Sequence, residues 1–218
     1  MFDGKIWCNY FQTRINYDNC INCARCLPKE VLKKMFNEME KSEYKENCYG
    51  VTELITCLRL SYFRRILADF PSLPEVYQLI RGHMFHKFFG SEFEVKEIKL
   101  EKDFNDFKII GIADAGNGSL YEFKSVNKLP TLPYPQHVIQ LQSYDSLSGL
   151  KYEKLILVYF SMNNFTVFDV PKKDVTEFLE NRARKLHECL KNNKMPEKED
   201  IGLCNFCRFR IECMLSKG

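Results

Sequence analysis

The chain has 218 residues, of which 45% are hydrophobic and 28% charged, a composition typical of a globular protein and not of a disordered one. Its net charge of +3 is too small to indicate nucleic-acid binding by itself, and no apolar run is long enough to span a bilayer. Because no secretory signal pattern opens the sequence, we expect a cytoplasmic protein with no membrane partner. In that compartment, clustered cysteines among the ten present indicate metal ligands before disulfides.

The sequence divides into four predicted regions. They are a cysteine-rich N-terminal appendage (1–28), a helical region (29–90), an α/β core (91–172), and a C-terminal helix with a cysteine segment (173–218).

Apolar residues at helical spacing predict three helices in the second region. The first starts at Pro28 and includes Met39, and the second covers about 52–69. The third begins at Ser72 and ends near Gly90.

The apolar period then changes from that of a helix to that of a strand, which predicts an α/β fold around a central sheet. The predicted elements are strands at 93–100, 107–114 and 119–126, a helix at 136–147, strands at 154–161 and 165–170, and a charged helix at 173–192.

The second and third predicted strands are joined by the turn Ala-Gly-Asn-Gly-Ser, and Asn and Gly supply the positive φ values of tight hairpins. A two-residue turn would place Asp114 and Glu122 on opposite faces of the sheet. A three-residue turn over 116–118 pairs Asp114 with Leu120 instead. Asp114, Glu122 and Lys124 then share one face, because side chains alternate along a strand. If these residues act together, we expect the three-residue turn.

Two carboxylates and an ammonium on one sheet face suit metal-assisted cleavage of a phosphodiester. Asp114 and Glu122 offer oxygen ligands for Mg²⁺ or Mn²⁺, and a bound ion acidifies water and neutralises charge on the phosphate. Lys124 can orient that water or stabilise the transition state. The alternative is an edge strand with a solvated charged face. His86 could be a further ligand, or a packed or surface residue.

Two weaker signals lie elsewhere in the chain. Gln140 and Tyr144 stand four residues apart on one predicted helix face, from which they could reach a nucleotide or steady the lysine. Arg59, Arg64 and Arg65 form either a phosphate path or a solvated helix face, and the sequence does not choose between these two. The isolated Cys48 and Cys189 are expected to be ordinary buried thiols.

Taken together, these motifs resemble the RecB-like nucleases, and specifically the CRISPR-associated RecB-family exonucleases. The resemblance covers about residues 51–213, and where the family usually has a proline after its first cysteine this chain has Leu58. The residues that carry it, in order, are Gly82-x-x-x-His86, Asp114 after Gly111, Glu122-x-Lys124, Gln140-x-x-x-Tyr144, and the cysteines Cys57, Cys204, Cys207 and Cys213.

The resemblance implies a restriction-endonuclease-like (PD-(D/E)xK) fold, with a mixed central sheet flanked by helices and a cysteine-rich iron–sulfur module. It implies a 4Fe–4S cluster on the four cysteines just named, although spacing alone does not distinguish iron–sulfur from zinc. It implies catalytic Asp114, Glu122 and Lys124, and cleavage of single-stranded or frayed DNA ends. The Mn²⁺ or Mg²⁺ ligands would be His86, Asp114, Glu122 and Phe123.

The N-terminal cysteines lie outside this resemblance. Cys20-x-x-Cys23-x-x-Cys26 is similar to half of a ferredoxin motif, which needs one distant cysteine, and Cys8 is available. A zinc site is a second possibility, and a metal-free arm that contacts DNA or a partner is a third. We expect a second metal here, because about 28 residues without a hydrophobic core need one to fold.

Three functions compete at this point. An active exonuclease, with CRISPR integrase proteins as expected partners, explains both the hairpin and the cysteines. A non-catalytic DNA-end-binding adaptor explains the cysteines but does not require an intact Asp114, Glu122 and Lys124. A zinc-ribbon recruitment factor leaves the hairpin unexplained.

Overall fold

The computed structural model describes residues 4–38, 44–67, 70–202 and 204–216. Met39 and the end of the helix predicted over 52–69 lie outside these ranges. Within the described residues, no helix is both long enough and apolar enough to cross a membrane.

The helices and strands of the chain are, in order, β1 (Lys5–Cys8), β2 (Thr13–Asn16), α1 (Tyr17–Cys23), α2 (Lys29–Asn37), β3 (Cys48–Gly50), α3 (Val51–Leu54), α4 (Leu58–Ile66), α5 (Leu73–Gly90), β4 (Val95–Phe104), β5 (Phe107–Gly116), β6 (Ser119–Ser125), α6 (Pro135–Leu147), β7 (Lys154–Phe160), β8 (Phe165–Val170), α7 (Thr176–Lys191), a 3₁₀ turn (Cys204–Phe206) and α8 (Arg210–Leu215).

A mixed sheet in the order β3-β5-β6-β7-β8, with β4 also paired to β5, forms the centre of the molecule. β3 with β5 and β6 with β7 are parallel pairs, and the other pairs are antiparallel. Helices cover both faces, because α6 packs against the β6 face that carries Glu122 while rings of α5 pack against Phe123 on the opposite face. The α/β class and the mixed central sheet flanked by helices are therefore confirmed.

One strand of this sheet has an unusual set of neighbours. β4 pairs with β5 along nearly its whole length, so β3 and β6 must share the other edge of β5. β3 pairs with residues 108–110, whereas β6 pairs only with Ala115 and Gly116. Between these two ladders β5 and β6 separate, and Asp114 lies in this gap.

The N-terminal region is more structured than its sequence pattern indicated. β1 and β2 form an antiparallel hairpin, and α1 and α2 follow it. Leu32 and Phe36 of α2 pack with Ile6 and Cys20 in a small core of their own. We call residues 4–38 the N-terminal module, because α2 packs with the hairpin across the boundary predicted at residue 28.

The helix expected over about 52–69 is interrupted. α3 ends at Leu54, α4 starts at Leu58, and Cys57 precedes α4 with an extended ψ of 119°. Cys57 therefore lies in a turn and not on a helix. The interruption follows from tertiary contacts, since the Arg182 side chain binds the carbonyl oxygens of Leu54 and Thr56 that a continuous helix would have used.

Candidate active site

Asp114 and Glu122 face one another across the gap between β5 and β6. Gly116 pairs with Leu120, so the turn encloses residues 117–119 and not 116–118, and the expected pairing of Asp114 with Leu120 is wrong. Continued by two residues, the observed register brings Asp114 opposite Glu122. The observed partner of Asp114 lies two residues beyond the expected one. Because two is an even number, the carboxylates of Asp114 and Glu122 still share a face of the sheet. Asp114 Oδ2 accepts a hydrogen bond of 2.7 Å from the backbone N–H of Phe123, which joins the strands where their ladder has stopped.

Glu122 is the most buried member of the site, with a side chain 2% exposed. Its Oε1 atom lies 2.6 Å from Nζ of Lys124 and accepts a hydrogen bond of 2.9 Å from Nε2 of Gln140. The same Gln140 nitrogen lies 2.7 Å from the hydroxyl of Tyr144. Gln140 and Tyr144 thus meet Glu122 from α6, on the face that their i, i+4 spacing predicted.

The second oxygen of Glu122, Oε2, is buried and has no hydrogen-bond partner among the described residues. A buried carboxylate oxygen without a partner is costly, and such atoms call for an explanation. Burial raises the pKa of Glu122 to about 7, and the charge of Asp114 adds to the increase although Lys124 opposes it. A cation beside Oε2 would lower that pKa and complete its coordination.

His86 approaches from α5, and its Nδ1 lies 3.0 Å from Oδ1 of Asp114. Burial lowers the pKa of His86, but the hydrogen bond and charge of Asp114 outweigh it, so the net pKa is raised. The side chain remains 36% exposed, so the site opens to solvent beside this imidazole.

The ring of Tyr144 explains the glycine that precedes Asp114 in the motif. A Cβ atom at Gly111 would stand 2.7 Å from two ring carbons of Tyr144 and 3.2 Å from Cγ2 of Val51. Only glycine allows the ring to lie this close to β5. Burial raises the pKa of the Tyr144 hydroxyl well above its usual value, with Glu122 adding to the increase, so this group stays protonated as a hydrogen-bond donor or acceptor.

Phe123 contributes to the site through its backbone alone. Its ring points to the opposite face, where it packs near Phe89, Phe93 and Phe160. If Phe123 is a metal ligand as predicted, the donor would be its carbonyl oxygen, since a phenyl ring has no lone pair to give.

One residue beside the site carried no sequence signal. His137, on the first turn of α6, shares a hydrogen bond of 2.9 Å with the hydroxyl of Tyr159, which is paired with Lys124 in the β6–β7 register. Burial and then Lys124 lower the pKa of His137 to about 4. The ring of Tyr134 lies edge-on to that of His137 and is 39% exposed, so an aromatic surface borders the site.

The C-terminal cysteines meet Cys57 around one cavity of about 360 Å³, which we call the C-terminal cavity. Its wall includes all four sulfur-bearing side chains of the predicted set, Cys57, Cys204, Cys207 and Cys213. Burial raises the pKa of Cys207, and the other three thiols raise it further, which places the four within electrostatic reach of one another.

The turn that holds Cys57 against this cavity is built by charged side chains that the sequence did not single out. Glu199 accepts a hydrogen bond of 2.9 Å from the backbone N–H of Leu58, at the start of α4. Arg182 binds Glu199 at 2.9 Å as well as the carbonyl oxygens of the turn. An ion pair thus joins the start of α4 to the segment that follows α7.

Arg59 and Arg65 of α4 form neither a path for phosphate groups nor a solvated helix face, the two alternatives that the sequence left open. Arg59 is buried, and it donates to the carbonyl oxygen of Pro196 at 2.9 Å and to Sγ of Cys213 at 3.7 Å. Arg65 forms a two-point contact with Glu53 at 2.8 and 2.9 Å. Both are structural, and a charge pattern alone could not show this because the partners are distant in sequence.

The four N-terminal cysteines also line one cavity, of about 510 Å³. Cys8 comes from the end of β1, Cys20 and Cys23 from α1, and Cys26 from the segment that follows. Among the described residues, no group of three or more His, Cys, Asp or Glu side chains is already arranged as the ligands of one ion. This holds for both cavities and for the carboxylate site.

No protein-family model matches this chain, and no curated protein is significantly similar to it. Among solved structures it is similar to SSO0001, with 23% identity and a TM-score of 0.67 over 87% of this chain and 96% of that one. This similarity shows a shared fold. An exonuclease candidate from Eubacterium rectale has 12% identity and a TM-score of 0.35 over 84% of this chain and 81% of its own, which is too distant to support an argument.

Proposed function

We propose that this chain is a Mn²⁺- or Mg²⁺-dependent DNA nuclease that acts on single-stranded or frayed ends. The observation that supports this most is the buried Glu122 carboxylate, whose Oε2 has no hydrogen-bond partner in the described part of the chain, while Asp114 and His86 lie close by. Two carboxylates and an imidazole suit a hard or borderline divalent cation.

The residues that would hold the ion are Asp114, Glu122, His86 and the carbonyl group of Phe123. A bound divalent cation acidifies a water molecule and neutralises charge on the scissile phosphate. His86 now engages Asp114, and Lys124 engages Glu122, so positive side chains balance the carboxylates. With Glu122 serving as a metal ligand, Lys124 would be free to turn toward the substrate.

The remaining polar side chains position the reacting groups. Lys124 would orient the attacking water or hold a phosphate oxygen, because its ammonium already lies at the carboxylate pair. Gln140 fixes the rotamer of Glu122 by donating to Oε1, and the Tyr144 hydroxyl fixes Gln140 in turn. Neither residue need touch the DNA to affect its cleavage.

For the C-terminal cavity we propose a 4Fe–4S cluster on Cys57, Cys204, Cys207 and Cys213. All four thiols line one shared wall, and four thiolates can hold either zinc or an iron–sulfur cluster. The resemblance described above favours the cluster. Arg59 supplies a positive charge and a hydrogen bond to Cys213, which suits sulfur atoms that carry negative charge.

The preference for single strands is supported by the aromatic surface at the edge of the site. Tyr134 is partly exposed beside His137, and an unpaired base can stack on such a ring while its phosphate reaches the carboxylates. On the resemblance described above, we place this activity in CRISPR spacer acquisition, with integrase proteins as partners and the cytoplasm as its location.

The test uses end-labelled single-stranded DNA with Mn²⁺, with Mg²⁺ and with EDTA. We expect cleavage only with a divalent metal, with Mn²⁺ at least as effective as Mg²⁺ because of the imidazole ligand. Glu122→Ala and Lys124→Ala should each lower the rate by about 100-fold or more.

Glu101→Ala is the matched control, because this glutamate lies on β4 in an exposed pairing with Lys99 and Lys108. It should leave the rate unchanged. Cleavage by Glu122→Ala at the wild-type rate would rule out this site. Tight binding of DNA ends with no cleavage under either metal would instead favour the non-catalytic adaptor.

A further inference from the structure

The N-terminal module presents a second set of four cysteines, apart from the carboxylate site and the C-terminal cavity. Cys8 belongs to a β-hairpin, and Cys20, Cys23 and Cys26 belong to α1 and the turn after it. The fold brings these two sources to one cavity of about 510 Å³. A shared cavity for residues 12 or more positions apart is a product of folding and not of sequence proximity.

The backbone around these cysteines presents them toward the cavity. Ala24 ends α1 in a left-handed conformation with φ of 48°, and its N–H donates to the carbonyl oxygen of Cys20 at 3.1 Å. This reversal returns the chain so that Cys26 reaches the same cavity as Cys20. On the hairpin, the N–H of Phe11 lies 3.5 Å from Sγ of Cys8, a contact suited to a sulfur that carries negative charge.

The walls of the cavity have the properties that an iron–sulfur cluster requires. Apolar side chains such as Ile6 and Leu73 line the cavity beside the buried Cys20, while Cys23 and Cys26 are exposed at its surface. Arg25, which also lines the cavity and stacks on Tyr10 at 4.5 Å, supplies a positive charge beside an anionic cluster. Cys20 is buried, and Cys8, Cys23 and Cys26 line the same cavity around it.

The module has few other means of stabilisation. Its core consists of Ile6, Cys20, Leu32 and Phe36, with a few partly buried neighbours. Units of fewer than roughly 40 residues generally need a disulfide, a metal or a partner surface in order to fold. The segment before α5 provides a partner surface, because the backbone N–H of Trp7 donates a hydrogen bond of 3.1 Å to the carbonyl oxygen of Pro71. A cluster would cross-link the hairpin to α1 and add to the stability that the small core and this contact provide.

We propose that Cys8, Cys20, Cys23 and Cys26 bind a second iron–sulfur cluster, of the 4Fe–4S type, in the N-terminal module. A single zinc ion fits less well, because three cysteines at two-residue spacing strain one tetrahedral centre. Three closely spaced thiolates and one distant one are the ligand arrangement of ferredoxin clusters.

The test measures iron, inorganic sulfide and zinc in the full-length protein after anaerobic reconstitution with ferrous iron and sulfide. The wild type should bind about eight iron ions, and Cys23→Ser about four, since each 4Fe–4S cluster holds four. Cys48→Ser is the matched control, because Cys48 lies on β3 and in neither cavity, and it should keep the full amount. The EPR spin count of the reduced proteins should fall in the same proportion.

Cys207→Ser keeps this proposal separate from the C-terminal cluster. A wild type with about four iron ions, all lost in Cys207→Ser and all kept in Cys23→Ser, would overturn the second cluster and leave the first in place. Zinc in place of iron, lost only in Cys23→Ser, would overturn the iron–sulfur assignment. Should Cys23→Ser fail to fold by circular dichroism, Cys26→Ser, whose side chain is also exposed, replaces it.

Discussion

The central sheet and the N-terminal module are held together by different means. The sheet is covered by helices and buries a large cluster of aliphatic and aromatic side chains, including Leu120, Leu141 and Tyr159. The module has a core of Ile6, Cys20, Leu32 and Phe36, and one of those is itself a cysteine of the proposed cluster. Apolar burial thus stabilises the sheet, whereas in the module a bound iron–sulfur cluster would contribute much of the stability.

This difference bears on where each kind of chemistry lies. The carboxylate site sits where two strands of a rigid sheet separate, so its geometry is supported on both sides by packed helices. The module is supported instead by a small core and by its contacts with α5 and Pro71, and its cysteines could cross-link it through a bound cluster. We therefore expect the sheet to keep its fold when metals are removed and the module to lose its own.

The largest effect is expected from replacing one of two fully buried leucines, and the two replacements should destabilise different regions. Leu120→Ala, in the sheet, should lower the free energy of unfolding by about 2–5 kcal/mol, because it leaves a cavity in a packed core. Leu32→Ala, in the module, should leave unfolding of the sheet nearly unchanged and accelerate iron release from the N-terminal cysteines. Denaturant unfolding by circular dichroism and loss of visible absorbance measure the two effects.

An equal loss of sheet stability in Leu32→Ala and Leu120→Ala would contradict this comparison. It would mean that the two regions unfold as one cooperative unit.

A smaller effect is expected at Gly111. Gly111→Ala places a Cβ atom 2.7 Å from the Tyr144 ring, so we expect a loss of about 1–3 kcal/mol in stability from overpacking. Cleavage should fall as well, because displaced Tyr144 no longer holds Gln140 against Glu122. Thermal unfolding and cleavage rate are the measurements.

Gly82→Ala is the matched control for this substitution. Gly82 lies in α5 with open space around the site of its Cβ atom, so alanine should be neutral or slightly stabilising. If Gly111→Ala behaved like Gly82→Ala, the close contact between β5 and Tyr144 would not matter for the site.

The smallest structural effect is expected at Tyr134, which is partly exposed. Tyr134→Ala should leave stability and iron content unchanged but weaken binding of single-stranded DNA by about 1–3 kcal/mol per stacked base. Tyr134→Phe keeps the ring and should bind like the wild type. Fluorescence anisotropy without divalent metal, to prevent cleavage, measures both. Equal weakening by the two variants would point to the hydroxyl and against stacking.

The prediction from sequence worked well where local periodicity coincided with burial. The helix ending at Gly90, the hairpin around Gly118, and strand 165–170 all occur in the structure near their predicted bounds. It failed at β1, β2 and β3, which are three or four residues long. Strands this short contain too few alternations to show a period. β1 and β2 pair with each other in a hairpin, and β3 exists because the distant β5 pairs with it.

For the carboxylate site, the spacing of Asp114, Glu122 and Lys124 was enough to predict a shared face, since the alternation of a strand depends on parity alone. Parity does not determine the exact strand register, and the observed partner of Asp114 differs from the expected one by two residues. His137 could not have been found, because its relation to Lys124 passes through Tyr159 on another strand.

The sequence by itself thus determined the residue types, their order and the local periods that produce helices, strands and the glycine turn. Tertiary structure alone decided which distant residues meet. It buried Arg59 against Cys213 and left one oxygen of Glu122 without a partner among the described residues, and it brought Cys8 to the cavity of Cys26. The physical reason is that burial, desolvation and long-range hydrogen bonds depend on neighbours in space, which local propensity does not specify.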